Sequence, residues 1–344
     1  MDDHSYDAVM LVSFGGPDGR DDVLPFLENV VRGKRVPRER LLEVAEHYYH
    51  FGGCSPINEQ NHQLQQAVQQ YLAVKGYSLP VYVGNRNWHP LLEDTVRQMQ
   101  SDGVRRALAW VASAYSCYSG CRQYREDLAR AQAAVPGPPP QIDKVRVFFN
   151  HPLFLQINAE SIGAAWQALP PGERDGAALL CTAHSLPLAQ AAGCSYEAQL
   201  AQTARWVADA NRIRDWQLVY QSRSGPPQQP WLEPDVCDVI RQRAATGQTH
   251  FVLAPIGFLS DHLEVLYDLD TEARDCCAEL GVHMVRARAA FHHPDFIRLV
   301  ADLLLERLER RTDRAAVGPL PPAPDQCPAD CCPALATKRD DGRT

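Results

Sequence analysis

The sequence predicts an α/β protein of two similar halves, each a four-stranded parallel sheet flanked by helices. Three observations predict it. Short, β-rich apolar runs alternate with longer amphipathic runs, the pattern of βαβ units. Eight strand-length runs are present, four on either side of a break near residues 136–165, after the proline-rich loop AVPGPPPQ. The length, 344 residues, suits two domains at about 150 residues each.

The first half opens on AVMLVS, Ala8–Ser13, an unbroken apolar run of strand length. Amphipathic stretches at Leu41–His50 and Asn61–Lys75 read as helices, and Val81–Gly84 as the second strand. A helix at Pro90–Ser101 leads to a strand at Arg106–Ser113, and a helix at Tyr124–Ala134 leads to one at Val145–Asn150. In the second half, helix Pro152–Gln167 precedes strand Ala177–Ala183, and helix Glu197–Ala210 precedes strand Gln217–Ser222. Helices Val236–Ala244 and Glu272–Leu280 precede the last strands, Phe251–Phe258 and His283–Ala287. A final helix, Pro294–Glu309, is expected to pack back on the first domain. The expected division is 1–150, 151–311 and a tail at 312–344, which is rich in proline and has neither helical nor strand period.

Composition excludes several classes. The net charge is −8, from 34 basic and 42 acidic residues, which argues against a nucleic-acid partner. Mean hydropathy is −0.33, and no apolar run approaches the ~18 residues of a membrane span. The N-terminus is acidic and lacks a basic segment and a small-residue cleavage site, so no signal peptide is read and a cytoplasmic location is expected. Eleven cysteines in such a chain read as reduced thiols, some of them metal-bound, rather than a disulfide scaffold. Cys327, Cys331 and Cys332 cluster in the tail.

Candidate chemistry lies at the ends of strands, where parallel α/β sheets bind ligands. The first strand runs into Ser13-Phe14-Gly15-Gly16-Pro17, too short of glycines for a dinucleotide loop. The fifth ends in Thr182-Ala183-His184-Ser185. His184 there can accept a proton near neutral pH or ligate a metal. After the seventh strand, Asp261, Glu264 and Asp268 are spaced i, i+3, i+7, one face of a helix. Such a row can pass a hydrated cation or shuttle protons. Between these clusters lies a Gly/Pro loop carrying Trp231.

The segments SFGGP (13–17), HFGGCSPIN (50–58), GNRNW (84–88), TAHSLP (182–187), QSRSGPPQQPWLEP (221–234) and PIGFLSDHLEVLYDLD (255–270), taken together, resemble the ferrochelatase family. The likeness runs from about residue 7 to 310, and within the family it is to actinobacterial enzymes that use coproporphyrin III. It implies two Rossmann-like, chelatase-type domains with a porphyrin cleft between them, and insertion of Fe²⁺ with release of two protons. It implies His184 as proton acceptor or metal contact and Glu264 as the opposing carboxylate. Asp261, Asp268 and Asp270 extend the acidic row, on a helix widened to the π type. Phe14, Arg32, Ser55, Tyr115 and Trp231 are the implied porphyrin contacts, with Lys34, Arg35 and His47 as further rim donors. Relatives of the Firmicute type carry a tyrosine where this chain has Phe14. Phenylalanine cannot ligate iron, which leaves His184 as the expected ligand.

Some members of the family hold a [2Fe–2S] cluster on three tail cysteines and one internal cysteine. The resemblance assigns Cys327, Cys331 and Cys332 here, with Cys121 or Cys117 as the fourth ligand and a zinc site as the competing occupant. It also implies a monomer, a downstream coproheme decarboxylase and room for peripheral membrane contact at the cleft lips. Two other functions compete: insertion into protoporphyrin IX, and a non-catalytic tetrapyrrole carrier or iron–sulfur sensor.

Overall fold

The computed structural model describes residues 5–34, 36–225 and 228–335. Arg35 and the prolines at 226 and 227, named above, lie outside them.

The first sheet consists of β1 (Ala8–Ser13), β2 (Val81–Asn85), β3 (Arg106–Val111) and β4 (Gln141–Lys144), in the order β2-β1-β3-β4. The second repeats that order with β5 (Ala178–His184), β6 (Trp216–Gln221), β7 (His250–Ala254) and β8 (His283–Arg286), as β6-β5-β7-β8. All pairings are parallel. The central strands are covered on both faces, which is why they read as unbroken apolar runs. β1 shows the division of labour. Val9 and Leu11 face a core shared by both halves, while Ala8, Met10 and Val12 face an outer core of the first half. β5 does the same, with Leu179, Cys181 and Ala183 turned to the shared core and Ala178 and Leu180 outward. Two of the four edge strands, β4 (QIDK) and β8 (HMVR), are short and carry charged residues, as exposed edges favour.

The helices of the first half are α1 (Val23–Val30), α2 (Arg38–His50), α3 (Ile57–Val74), α4 (Leu92–Ser101) and α5 (Gln123–Ala134). Those of the second are α6 (Pro152–Ala168), α7 (Leu188–Ala191), α8 (Tyr196–Ala210), α9 (Val236–Ala245), α10 (Leu263–Val265), α11 (Arg274–Glu279) and α12 (Phe296–Leu308). Leu299, Val300, Leu303 and Leu304 of α12 are wholly buried in the shared core. Phe296 meets Trp110 of β3 edge-on at 6.1 Å. Among the described residues, no helix is long and apolar enough to cross a membrane.

One strand is displaced from its expected place. β4 is Gln141–Lys144, not Val145–Asn150. The amide of Val145 makes a last bond to Ala109, and the chain then leaves the sheet. Arg146 dives into the interior against Glu306, while Phe148 and Phe149 fill the shared core.

Candidate active site

β5 ends on His184, and a short network fixes the turn that follows. Ser185 N donates to the Gln221 carbonyl at 2.8 Å, and Ser185 Oγ to the Leu232 carbonyl at 2.8 Å. The Tyr196 hydroxyl donates to the carbonyl of His184 itself at 3.1 Å. The loop after β7 lies directly against this strand end. A Cβ on Gly257 would stand 2.6 Å from Ala183 Cα, so the approach requires glycine.

That loop carries the second partner. His184 Nδ1 lies 2.5 Å from the Ser185 carbonyl and donates to it. Nε2 then faces Glu264 Oε1 at 3.2 Å, with the two side chains 35% and 40% exposed. Burial by itself would lower the imidazole's pKa. The hydrogen bond and charge of Glu264, helped by the Ser185 carbonyl, outweigh it and raise it to about 8. Burial would likewise raise Glu264, but the bond to His184 and its charge hold that carboxyl at about 2. Asp268 moves the other way. Burial and the charge of Glu264 push it up to about 7, against hydrogen bonds from Ser222 and Gln221. Gln221 Nε2 donates to Asp268 at 3.1 Å, and the Ser222 hydroxyl donates to the same oxygen. Ser222 achieves this at φ +62°, a left-handed conformation that costs a non-glycine residue about 1–2 kcal/mol.

Glu264 sits in the single turn α10, and residues Leu266–Ala273 continue as a π-helix, the widened form implied by the resemblance. Along it Glu264, Asp268 and Glu272 follow at intervals of four, from the recess to the exposed surface. The expected row of Asp261, Asp268 and Asp270 is corrected. Asp261 precedes the helix and is buried, bonded to Arg286 Nη1 at 2.7 Å and His292 Nε2 at 3.1 Å. Asp270 takes Nε and Nη2 of the same Arg286 at 2.9 and 2.8 Å. One guanidinium from β8 thus neutralises both, and only Asp268 joins Glu264.

The porphyrin contacts divide similarly. Phe14 is exposed at the end of β1 and packs edge-on against Phe26 at 6.1 Å. Phe26 touches Tyr48 of α2 at 5.8 Å, and the charges of Glu264 and Asp268 act on the Tyr48 hydroxyl. Phe14, Phe26 and Tyr48 therefore form a chain of aromatic contacts that ends near the carboxylates. Arg32 is exposed on the same lobe, bonded to Asn29. His47 stacks on Tyr267 of the π-helix, 3.7 Å between ring centres. Three of the expected porphyrin contacts are buried. Tyr115 is 2% exposed, and its hydroxyl donates to the Ile256 carbonyl, tying the two halves together within the core. Ser55 is buried against Gly16 and supports the loop after β1. Trp231 is buried beneath Gly225, where a Cβ would meet its indole at 2.4 Å, and braces the loop after β6. Sequence reading missed Tyr48, Gln221, Ser222 and Glu272. Gln221 and Ser222 stand at a strand end, a signal that was present in the sequence.

A second constellation forms where the tail crosses α5. Cys121 lies in the π-turn Tyr118–Arg122, and its thiol is hydrogen-bonded to Cys327. Cys331 Sγ and Cys332 Sγ are 3.3 Å apart. Arg122 and Arg125 donate to the carbonyls of Cys331 and Cys327 at 3.4 and 3.3 Å. Cys117 is turned inward, accepting from Gly120 N at 3.1 Å. Of the tail thiols, Cys327 therefore meets Cys121.

The chain matches known proteins along nearly its whole length. The family model described as Ferrochelatase matches residues 6–308. A ferrochelatase from Rhodopirellula baltica is 54% identical over 95% of this chain and 93% of its own length. Coproporphyrin III ferrochelatases from Streptomyces coelicolor and Mycolicibacterium smegmatis are 49% and 48% identical, covering 98% and 92% of this chain and 96% and 94% of their own. Among solved structures, the sirohydrochlorin chelatase SirB from Bacillus subtilis subspecies spizizenii shares the fold, with a TM-score of 0.52 at 10% identity, over 90% of this chain and 98% of that one. Two parallel sheets of one topology, a strand-end histidine paired with a helix carboxylate, and a match along nearly the whole chain lead to one conclusion: the chain belongs to the ferrochelatase family, and is a metal chelatase of the lyase type.

Proposed function

We propose that the chain inserts Fe²⁺ into coproporphyrin III, giving coproheme and two protons in haem biosynthesis. The His184–Glu264 pair, 3.2 Å apart at the strand end, carries this reading. A porphyrin resting on Phe14 and Tyr48 would turn one face to the pair. Bending of the macrocycle exposes the pyrrole nitrogens, held by binding energy from the rest of the ring. Fe²⁺ at His184 Nε2 and Glu264 displaces the imidazole proton, since only neutral imidazole ligates. Asp268, poised near 7, relays protons from the site towards the exposed Glu272. Arg32 and Lys34 on the α1–α2 lobe, with Arg20 stacked 4.3 Å over Tyr49, are the proposed carboxylate donors.

In this reading residues 1–150 and 151–311 are the two chelatase domains, and the tail from 312 is the cluster-binding segment. The chain acts as a monomer in the cytoplasm and passes coproheme to a decarboxylase. Exposed Phe14, Leu42 and Leu188 support peripheral membrane contact.

Cys121, Cys327, Cys331 and Cys332 are the proposed ligands of a [2Fe–2S] cluster. Two thiol pairs, Cys121 with Cys327 and Cys331 with Cys332, suit two irons that take two thiolates each. Bound, the cluster would crosslink the tail to the first half, a structural rather than redox contribution. Cys121→Ser should abolish the visible iron–sulfur absorption and Cys117→Ser retain it. Zinc in place of iron and sulfide on analysis of the purified protein would overturn the assignment.

Anaerobic Fe²⁺ insertion with coproporphyrin III and protoporphyrin IX side by side tests the function. Strong preference for coproporphyrin is expected. Preference for protoporphyrin would overturn the rim assignment, and no insertion into either would favour a carrier or sensor.

A further inference from the structure

We propose that Glu173, His250 and His283 form a divalent transition-metal site at the N-terminal edge of the second sheet, separate from the insertion site. One ligand atom from each residue lies within 4.8 Å of the others. His250 Nε2 is 2.6 Å from a Glu173 carboxylate oxygen, and the two imidazole rings are 5.8 Å apart.

The fold creates this cluster from three segments distant in sequence. His250 and His283 are the first residues of β7 and β8 and stand opposite each other in register. Side chains in register on parallel neighbours point to the same face, so the rings share one side of the sheet edge. Glu173 lies in the 3-10 turn Pro171–Gly176 that leads into β5, the strand on the other side of β7. Gln248 holds this turn to the sheet, its amide donating to the carbonyls of Gly176 and His250. Thr249 Oγ1 lies 2.9 Å from His250 Nδ1 and orients the ring so that Nε2 faces the cluster, the outer-shell support that ligating histidines use.

Two imidazoles and one carboxylate, with the remaining positions open to solvent, are donors for Zn²⁺, Co²⁺, Ni²⁺ or Fe²⁺. Bonds of about 2.0–2.1 Å place tetrahedral ligand atoms about 3.3 Å apart. The Glu173–His250 contact must open slightly and His283 must close. Glu173 is 41% exposed and His283 is exposed, so both are free to adjust. β5 has seven residues, which puts His184 at its far end about 20 Å away. The cation therefore takes no part in porphyrin metallation. It clamps the turn before β5 to the first residues of β7 and β8.

Equilibrium dialysis of the full-length protein against Zn²⁺, followed by metal analysis, tests the site. His283→Ala changes an exposed side chain, and Glu173→Gln is isosteric, so both variants keep the fold. Each is expected to lose one Zn²⁺ equivalent or bind it at least tenfold more weakly, with the porphyrin insertion rate within twofold of the parent. His184→Ala is expected to retain that equivalent. A parent-like titration for either His283→Ala or Glu173→Gln overturns the three-residue assignment, as does loss of the equivalent in His184→Ala.

Discussion

A proton already sits on the His184–Glu264 pair at neutral pH. The imidazole titrates near 8 and the carboxyl near 2, so between those values the pair is imidazolium and carboxylate. Both shifts favour the folded state. Raised above its unfolded value, His184 contributes stability that is complete below about pH 6.5 and is lost as pH rises through about 8. Glu264, depressed, contributes above its unfolded value and loses that contribution as pH falls through about 2. The same proton competes with iron. Apparent Fe²⁺ affinity should rise about tenfold per pH unit and level off above about pH 8. His184→Ala should flatten that profile and slow insertion by about 10²–10⁴-fold, the range expected for loss of a group that handles protons at the reacting atoms. Insertion kinetics between about pH 6 and 9 would decide it. A His184→Ala profile that kept the parent's slope would remove His184 from iron binding.

At the scale of elements, α6 offers a titration independent of the site. His151 caps this helix, Nδ1 accepting from Leu153 N at 3.2 Å. It is 1% exposed. Burial, with the nearby charge of Arg146, lowers its pKa to about 4. An unfolded imidazole titrates near 6.5, so below that pH the unfolded chain takes up a proton that the folded chain refuses. Stability should fall between about pH 6.5 and 4, by up to about 3 kcal/mol. His151→Asn keeps a capping acceptor and removes the titration, so its urea midpoint should lose this acid limb. Parallel midpoint curves for parent and variant would contradict the account. Elements also show what sequence can carry. Seven of the eight strands were legible, the central ones because strands covered on both faces are apolar throughout. The run Val145–Phe149 was misplaced because it is buried without pairing, and hydrophobicity reports burial, not the partner of an amide. Helix α1 was missed, being only eight residues long. At the site, position at a strand end marked His184. Helical period grouped Asp261 with Glu264, and the resemblance added Asp270, because nothing in their spacing reveals Arg286, which reaches them from β8.

The whole molecule depends on how two sheets of one topology are held together. The shared core does most of this, but its one long charged intrusion sets the join. Arg146, wholly buried, forks onto both oxygens of Glu306 in α12 at 2.8 Å, and donates to the Ala315 carbonyl in the tail at 2.8 Å. The segment leaving the first sheet, the helix of the shared core and the start of the tail therefore meet at one guanidinium. Charges taken out of water at such a point recover their solvation only as a pair. Glu306→Ala strands Arg146 and should destabilise the chain by about 3–5 kcal/mol. Arg146→Met with Glu306→Leu removes both desolvation costs and fills similar volume, so the double variant should recover most of that loss. The tail distinguishes this from simple packing, because Arg314 also reaches Glu306, at 3.3 Å, and Asp325. Both variants should therefore expose the tail to limited proteolysis after residue 311 even where the double variant regains its urea midpoint. If Glu306→Ala unfolded at the parent's urea midpoint with its tail still protected, the ion pair would be incidental and the apolar core alone would hold the halves in place.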